Sequence, residues 1–206
     1  GTRFSRAMIL LARGKLEEAK AETKLFIDYC QRIGDRNMQA TGRLLLGQIA
    51  EIENDLEGAV EYLQEGLNMA KEIGMQDTTA IILIFLGRIK VQQGYWELAI
   101  PYMRESLIVV KSGKVGTDGP AIVFCQIGGM LLENKPRIAV QFLGYSEVFW
   151  RTINFPRDPT FDKPYFDRFL ARVPKTTPTV GLAFRFQLLD RLPTVLHAHA
   201  VQTILT

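Results

Sequence analysis

The residues whose types best suit catalysis or metal binding are two histidines and two cysteines. His197 and His199 lie two positions apart on a predicted helix, so their side chains point roughly 160° apart around the helix axis and do not converge on one metal ion. Cys30 and Cys125 have no C-x-x-C spacing and no histidine nearby in the sequence. They therefore predict neither a zinc site, nor a disulfide framework, nor an activated thiol. Both cysteines are predicted to be small core residues, and no metal or cofactor is expected.

A glycine-rich segment at residues 113–119 raises the question of phosphate binding. Its sequence, Gly-Lys-Val-Gly-Thr-Asp-Gly, contains a lysine, as phosphate-binding loops do. However, the Gly-Lys is not followed by Ser or Thr, and the preceding residues have a helical pattern where a phosphate loop requires a strand. The segment is therefore predicted to be a loop between helices, and the chain is predicted not to be an enzyme.

The composition is that of a folded protein with a sizeable core: 206 residues, 47% hydrophobic and 23% charged. The formal net charge of +3 is too small to predict contact with nucleic acid. The longest uncharged apolar run, residues 80–87, is far shorter than the roughly 18–20 residues that span a membrane. The sparse cysteines and the lack of a signal-sequence pattern favour a cytoplasmic location. Because the chain starts without Met and enters a helical pattern at once, we expect it to be part of a longer protein.

An internal repeat with a period of 40 organises the chain up to residue 150. Each repeat has a Gly or Asn followed five positions later by an alanine. Gly and Asn tolerate the positive φ at which one helix ends and turns into the next, and alanine lets two helices approach closely. The four copies are Gly14 and Ala19, Asn54 and Ala59, Gly94 and Ala99, and Asn134 and Ala139.

Apolar side chains on either side of each turn recur with helical spacing. They predict four antiparallel helix pairs within residues 1–150 and a helical C-terminal cap at residues 151–206. The cap is expected because the aromatic-rich stretch at residues 142–169 can cover the apolar end of a repeat array; alternatively, part of this stretch is an interface for a partner domain. The predicted pairs are residues 3–13 with 15–32, 36–53 with 55–73, 76–93 with 95–112, and 119–133 with 135–150.

The residues around these turns resemble the tetratricopeptide repeat. Leu46-Gly47 and Leu86-Gly87 in the first helices, and Gly94 with Ala99 at the following turn, carry the likeness. The period of 40 is longer than that of the standard repeat, which is about 34, and this implies longer helices. In this respect the chain is similar to the repeats C-terminal to the nucleotide-binding module of signalling ATPases, including LuxR-type and AfsR-type transcription regulators.

The C-terminal part of the chain adds to this resemblance. Residues 138–147, Ile-Ala-Val-Gln-Phe-Leu-Gly-Tyr-Ser-Glu, look like the helix that closes such arms, and residues 155–170 and 178–205 resemble the proline-containing loop and closing helices that follow it. The resemblance implies an all-α fold, a right-handed superhelical solenoid of antiparallel helix pairs. It also implies a sensor or regulatory arm. The sequence itself contains neither a P-loop nor a helix-turn-helix motif.

Arms of this family bind their ligands in a groove lined by the first helix of each pair. Arg88 is the only cation at the groove positions, so it is the expected anchor for an anionic group, unless it forms a solvated ion pair or an ion pair within one repeat. The expected occupant is a protein, a peptide or a small-molecule inducer, and a homodimer is an alternative. No contact with nucleic acid or membrane is expected. Carried over from the family, the groove residues are Phe4, Met8, Leu44, Gln48, Glu51, Ile84, Arg88, Gln92 and Phe124.

The sequence thus predicts a non-catalytic, protein- or ligand-binding repeat domain. The resemblance favours the sensor or regulatory arm of a multidomain signalling ATPase or transcription regulator. A general protein-interaction or dimerisation scaffold is the alternative. A P-loop module elsewhere in the same protein would distinguish the first function from the second.

Overall fold

The structure is a computed structural model of the chain, and it describes residues 2–112, 119–132 and 135–153. These residues form helices and turns without any strand, which confirms the predicted all-α class. None of the described helices is both long enough and apolar enough to cross a bilayer. In chain order the helices are α1 (Thr2–Ala12), α2 (Leu16–Arg32), α3 (Arg36–Ile52), α4 (Leu56–Ile73), α5 (Gln76–Gln92), α6 (Trp96–Lys111), α7 (Gly119–Leu131) and α8 (Pro136–Ile153).

Adjacent helices pack in pairs: α1 with α2, α3 with α4, α5 with α6, and α7 with α8. The eight helices predicted within residues 1–150 are present, and their ends lie close to the predicted bounds. Successive pairs are joined by packing of α2 on α3 and of α4 on α5, and the first helices α3, α5 and α7 contact one another in that order. This row of first helices brings side chains from different pairs together.

Some of the sequence predictions fall on residues outside the described ranges. Residues 151–153 extend α8, but the rest of the predicted C-terminal cap is not among the described residues. The same holds for His197 and His199, for Asn134, and for residues 113–118 of the glycine-rich segment.

The turns within the first three pairs use the left-handed backbone that the Gly/Asn pattern predicts. The φ angle is +72° at Gly14, +62° at Asn54 and +83° at Gly94. A side chain with a Cβ is disfavoured in this conformation, and Asn is among the residues that tolerate it best. The predicted positions of these three turns are therefore confirmed.

Small residues bring the two helices of a pair into close contact near the turn. There a glycine of the first helix faces the repeat alanine of the second helix. The alanine carbonyl oxygen lies only 3.1–3.5 Å from the point that a Cβ on the glycine would occupy, and the three alanines are completely buried. The contacts join Gly47 to Ala59, Gly87 to Ala99, and Gly128 to Ala139.

A second close contact between the two helices lies farther from the loop that joins them, by two turns of each helix. In each case a small residue of the second helix meets the carbonyl oxygen of an alanine in the first. That oxygen lies 3.4 Å from the Cβ point of Gly66 in one pair, and it accepts hydrogen bonds of 2.9 and 2.8 Å from serine hydroxyls in the next two. The contacts join Ala40 to Gly66, Ala80 to Ser106, and Ala121 to Ser146.

The fourth pair departs from the predicted register by one position. The contact glycines Gly47 and Gly87 are one full period apart, but the next contact glycine, Gly128, lies one position beyond the following period. The strict period instead places Ile127 at this position. A shift of one position turns the side chains by about 100° around the helix axis. The faces of α7 therefore differ from those that the period predicts.

The close contact at Gly47 predicts that even one methyl group destabilises the fold. In Gly47→Ala the new Cβ would lie 2.5 Å from Cγ of Leu63, a completely buried side chain. We expect the variant to lose about 1–3 kcal/mol in the free energy of unfolding, although alanine favours a helix over glycine by about 1 kcal/mol. Urea denaturation followed by circular dichroism measures the change.

Gly144→Ala is the matched control. Gly144 is also helical, but among the described residues no heavy atom of a packing neighbour lies within 4 Å of its Cβ point. We expect this variant to be unchanged or up to about 1 kcal/mol more stable. Equal effects of the two substitutions would contradict the assigned helix contact.

Candidate functional site

Three of the predicted groove residues, Glu51, Arg88 and Gln92, come together between α3 and α5. Arg88 forms a bidentate ion pair with Glu51, in which Nε donates to Oε1 at 2.7 Å and Nη2 donates to Oε2. Gln92 donates from Nε2 to the same Oε1 at 2.6 Å. Nη1 of Arg88 donates in the other direction, to Oε1 of Gln126 in α7, at 2.8 Å. We call these four residues the polar cluster; it links three consecutive pairs.

Three members of the polar cluster, Glu51, Arg88 and Gln126, are largely removed from solvent. The side chain of Glu51 is 5% exposed and that of Arg88 is 12% exposed, and Gln126 is buried. The guanidinium of Arg88 also lies over the ring of Phe85, 4.2 Å from the ring centre, in a cation–π contact. Since each charge has its partner within hydrogen-bond distance, the Glu51–Arg88 pair carries no net charge.

This pairing changes the expected role of Arg88. An anionic ligand would have to displace the Glu51 carboxylate from two of the guanidinium nitrogens. The ion pair of Arg88 is neither solvated nor within one repeat: it is largely buried and joins the third helix pair to Glu51 of the second. Amides are the polar groups that reach the surface here, because Gln92 is exposed and Gln48 is half-buried.

Three further predicted groove residues are half-buried: Phe4, Met8 and Leu44. Phe4 and Met8 are half-buried against the apolar cluster of the first pair, with the Phe4 ring 5.3 Å from that of Phe26 in α2. Leu44 is half-buried against the apolar cluster that joins the second and third pairs. These three side chains keep part of their surface accessible.

Ile84 and Phe124 are corrections to the predicted groove. Ile84 exposes 1% of its surface and Phe124 none, so neither lines an open groove. Ile84 belongs to the core between α5 and α7, and the Phe124 ring packs 5.8 Å from Phe142 and 5.9 Å from Tyr145. With α7 shifted by one position, Phe124 takes the repeat position of Leu83, which is a core residue as Ile84 is.

Two residues of the site, Gln126 and Phe85, were not predicted from the sequence. Gln126 carries the only amide or charged side chain in α7, Gly-Pro-Ala-Ile-Val-Phe-Cys-Gln-Ile-Gly-Gly-Met-Leu. A lone amide in an apolar helix signals a buried hydrogen bond, because buried polar groups are almost always paired. Phe85 precedes Arg88 by three positions, a spacing that places both on one helix face.

Of the other candidate residues, the structure describes the two cysteines. The described part of the chain brings together no group of three His, Cys, Asp or Glu side chains that could hold a metal ion. Cys30 and Cys125 are both buried, as predicted. Burial raises the pKa of the Cys30 thiol, and the nearby Asp35 carboxylate raises it further.

A second polar contact between pairs joins α2 to the end of α3. Lys20 of α2 donates from Nζ to Oε2 of Glu53 at 2.5 Å, and this hydrogen bond raises the pKa of Lys20. The contact borders a shallow cleft of about 410 Å³ at the α1–α2 turn, where Lys15, Glu17 and Glu18 form the rim. The cleft therefore presents charged side chains of both signs, and the Glu53 charge beside it is paired with Lys20.

Loss of one member of the Glu51–Arg88 pair is expected to be far more harmful than loss of both. Glu51→Leu leaves the Arg88 charge without its partner, so we expect a loss of about 3–5 kcal/mol in the free energy of unfolding. The double variant Glu51→Leu/Arg88→Met removes both charges, and we expect it to lie within about 2 kcal/mol of the wild type. Urea denaturation of the two single variants and the double variant completes the cycle.

Arg36→Ala provides the control for this cycle. It removes an ion pair with Glu72 in which both side chains are more than half exposed, so we expect a loss below about 1 kcal/mol. A double variant that is no more stable than Glu51→Leu would contradict the role of charge pairing in the polar cluster.

The raised pKa of Cys30 predicts a weakly reactive thiol in the folded protein. In a Cys125→Ser background, we expect an aromatic disulfide reagent to label Cys30 at least about tenfold more slowly than in the urea-unfolded chain at the same pH, because the thiolate is the reactive form. Labelling is followed by absorbance of the released thiolate. Equal rates in the folded and unfolded chains would show that Cys30 is accessible and ionised.

Comparison with known proteins adds no family to this description. No protein-family model and no curated protein matches the chain. The evidence for a function therefore comes from the polar cluster and from the way the helices pack.

Proposed function

We propose that this chain is a non-catalytic binding domain made of tetratricopeptide-like helix pairs. The observation that carries the proposal is that side chains from three consecutive first helices meet in one cluster: Glu51 of α3, Arg88 of α5 and Gln126 of α7. Repeat proteins bind extended partners on surfaces assembled from equivalent positions of successive repeats. In this proposal the pairs stack as a right-handed solenoid, and residues 151–206 cap its C-terminal end.

The polar cluster supports this function by holding the row of first helices in one register. Each of its hydrogen bonds joins residues from different pairs. Gln92 of the cluster is exposed, and its hydrogen bond to Glu51 holds α5 against α3, the helix that also carries the half-buried Gln48. A preorganised surface loses less conformational entropy when it binds a partner.

The electrostatics of the cluster favour an uncharged binding group. Arg88 is neutralised by Glu51, so the surface offers amide donors and acceptors beside the half-buried Leu44. Main-chain amides of a peptide, or the polar groups of a small neutral ligand, match this chemistry. A protein, a peptide or a small-molecule inducer is thus the proposed occupant.

We further propose that the domain serves as the sensor or regulatory arm of a cytoplasmic signalling ATPase or transcription regulator. The support is the resemblance of the Leu-Gly and Gly-x-x-x-x-Ala positions, together with helix pairs packed in chain order. A P-loop module encoded in the same gene is the expected finding. A gene without such a module would leave the general interaction scaffold as the function.

The binding surface can be tested by selecting peptides from a random library displayed on phage. We expect selected peptides to bind the purified chain, and Gln48→Ala/Gln92→Ala to weaken binding about tenfold, because two lost hydrogen bonds are worth about 0.5–1.5 kcal/mol each. Isothermal titration calorimetry measures the Kd. Arg88→Glu is unsuitable for this test, because it would place a second carboxylate against Glu51.

Gln31→Ala/Gln64→Ala is the matched control, since both glutamines are exposed on second helices, α2 and α4. We expect its Kd to equal that of the wild type. A selection that enriches no peptide, or peptides whose Kd changes equally in both double variants, would contradict the proposed surface.

A further inference from the structure

Ile9 in α1 is exposed, although its repeat equivalents are buried. Ile49 in α3 and Ile89 in α5 follow it by one and two periods; each exposes none of its surface, whereas Ile9 exposes 52%. Ile49 packs in the apolar cluster that contains Leu11 of the first pair, and Ile89 in the cluster that contains Leu63 of the second. The preceding helix pair therefore helps to bury the isoleucine at this position of the repeat.

One position in the second helix of the first pair shows a weaker contrast. Tyr29 in α2 is exposed, whereas Met69 in α4 and Val109 in α6, at the same repeat position, are half-buried. Val109 packs against the apolar cluster that joins the second and third pairs. Leu25 and Ile33, one turn to either side of Tyr29, are exposed as well.

We give the name first-pair face to the exposed apolar side chains of α1 and α2 considered above: Ile9, Leu25, Tyr29 and Ile33. We infer that a further helix pair of the same repeat covers this face, and that it is supplied by the same polypeptide directly ahead of α1. The inference goes beyond the proposed function, which concerns α3, α5 and α7. Either can therefore fail without the other.

The interfaces between pairs inside the chain indicate which segment covers the first-pair face. The pair immediately before α3 in sequence packs on it through α2, and the pair immediately before α5 packs on it through α4. The connections are short: residues 33–35 join α2 to α3, and residues 74–75 join α4 to α5. A covering pair joined to α1 in the same way would place its second helix against Ile9, as α2 and α4 are placed against α3 and α5.

The sequence encoded ahead of α1 provides the first test. The repeat requires an alanine one full period before Ala19 and a Gly or Asn one full period before Gly14. Apolar residues with helical spacing should flank this turn on both sides. An upstream sequence without this pattern would overturn the inference.

The second test compares residues 1–206 with the natural polypeptide extended by one repeat. In the extended protein we expect Ile9→Asp to lower the Tm by about 5–10 °C, because it buries a carboxylate without a partner. In residues 1–206 alone, where Ile9 is exposed, we expect a change below about 2 °C. Hydrogen exchange of the α1 amides, measured in both wild-type proteins, should be at least about tenfold slower in the extended protein.

Ile108→Asp is the matched control, because Ile108 is 55% exposed in α6, which has pairs on both sides in sequence. We expect it to have the same small effect in both proteins. Equal Tm changes for Ile9→Asp in the two proteins, together with unchanged exchange of α1, would overturn the inference. Light scattering that shows a dimer of the extended protein, dissociated by Ile9→Asp, would assign the face to a second copy of the chain instead.

Discussion

The close approach of two helices at two levels is the constraint on which the described structure depends. At both levels the contact is between a small residue and a carbonyl oxygen, as at Gly47 with Ala59 and at Ser106 with Ala80. The two levels are two helical turns apart, so together they set both the separation and the register of the helices. Side chains that point away from these contacts are thereby directed toward the neighbouring pairs.

The shift of the fourth pair by one position shows that these contacts take precedence over the sequence period. A glycine is needed against Ala139, and Gly128 meets it although the strict period would select Ile127. The shift turns α7 by about 100° relative to the predicted register. Gln126 thereby comes within reach of Arg88.

The polar cluster has a different effect from that of the apolar core. A buried ion pair adds little stability compared with well-packed apolar side chains, but an unpaired buried charge costs several kcal/mol. Stacking arrangements that separate Glu51 from Arg88 are therefore penalised. The apolar contacts, such as those of Ile49 and Ile89, provide the burial, whereas the cluster selects one alignment of α3, α5 and α7.

The sequence by itself determined the all-α class, the helices with ends close to those observed, and the left-handed turns at Gly14, Asn54 and Gly94. These features are local, because φ preferences and the spacing of apolar residues act over a few positions. Only the tertiary structure decided that Ile84 is buried and that Arg88 pairs with Glu51 of another helix pair. It also decided which face of α7 meets α5. Those outcomes depend on how one pair packs on the next. A shift of one residue, which a periodic pattern does not reveal, turns the side chains of a helix by about 100° around its axis.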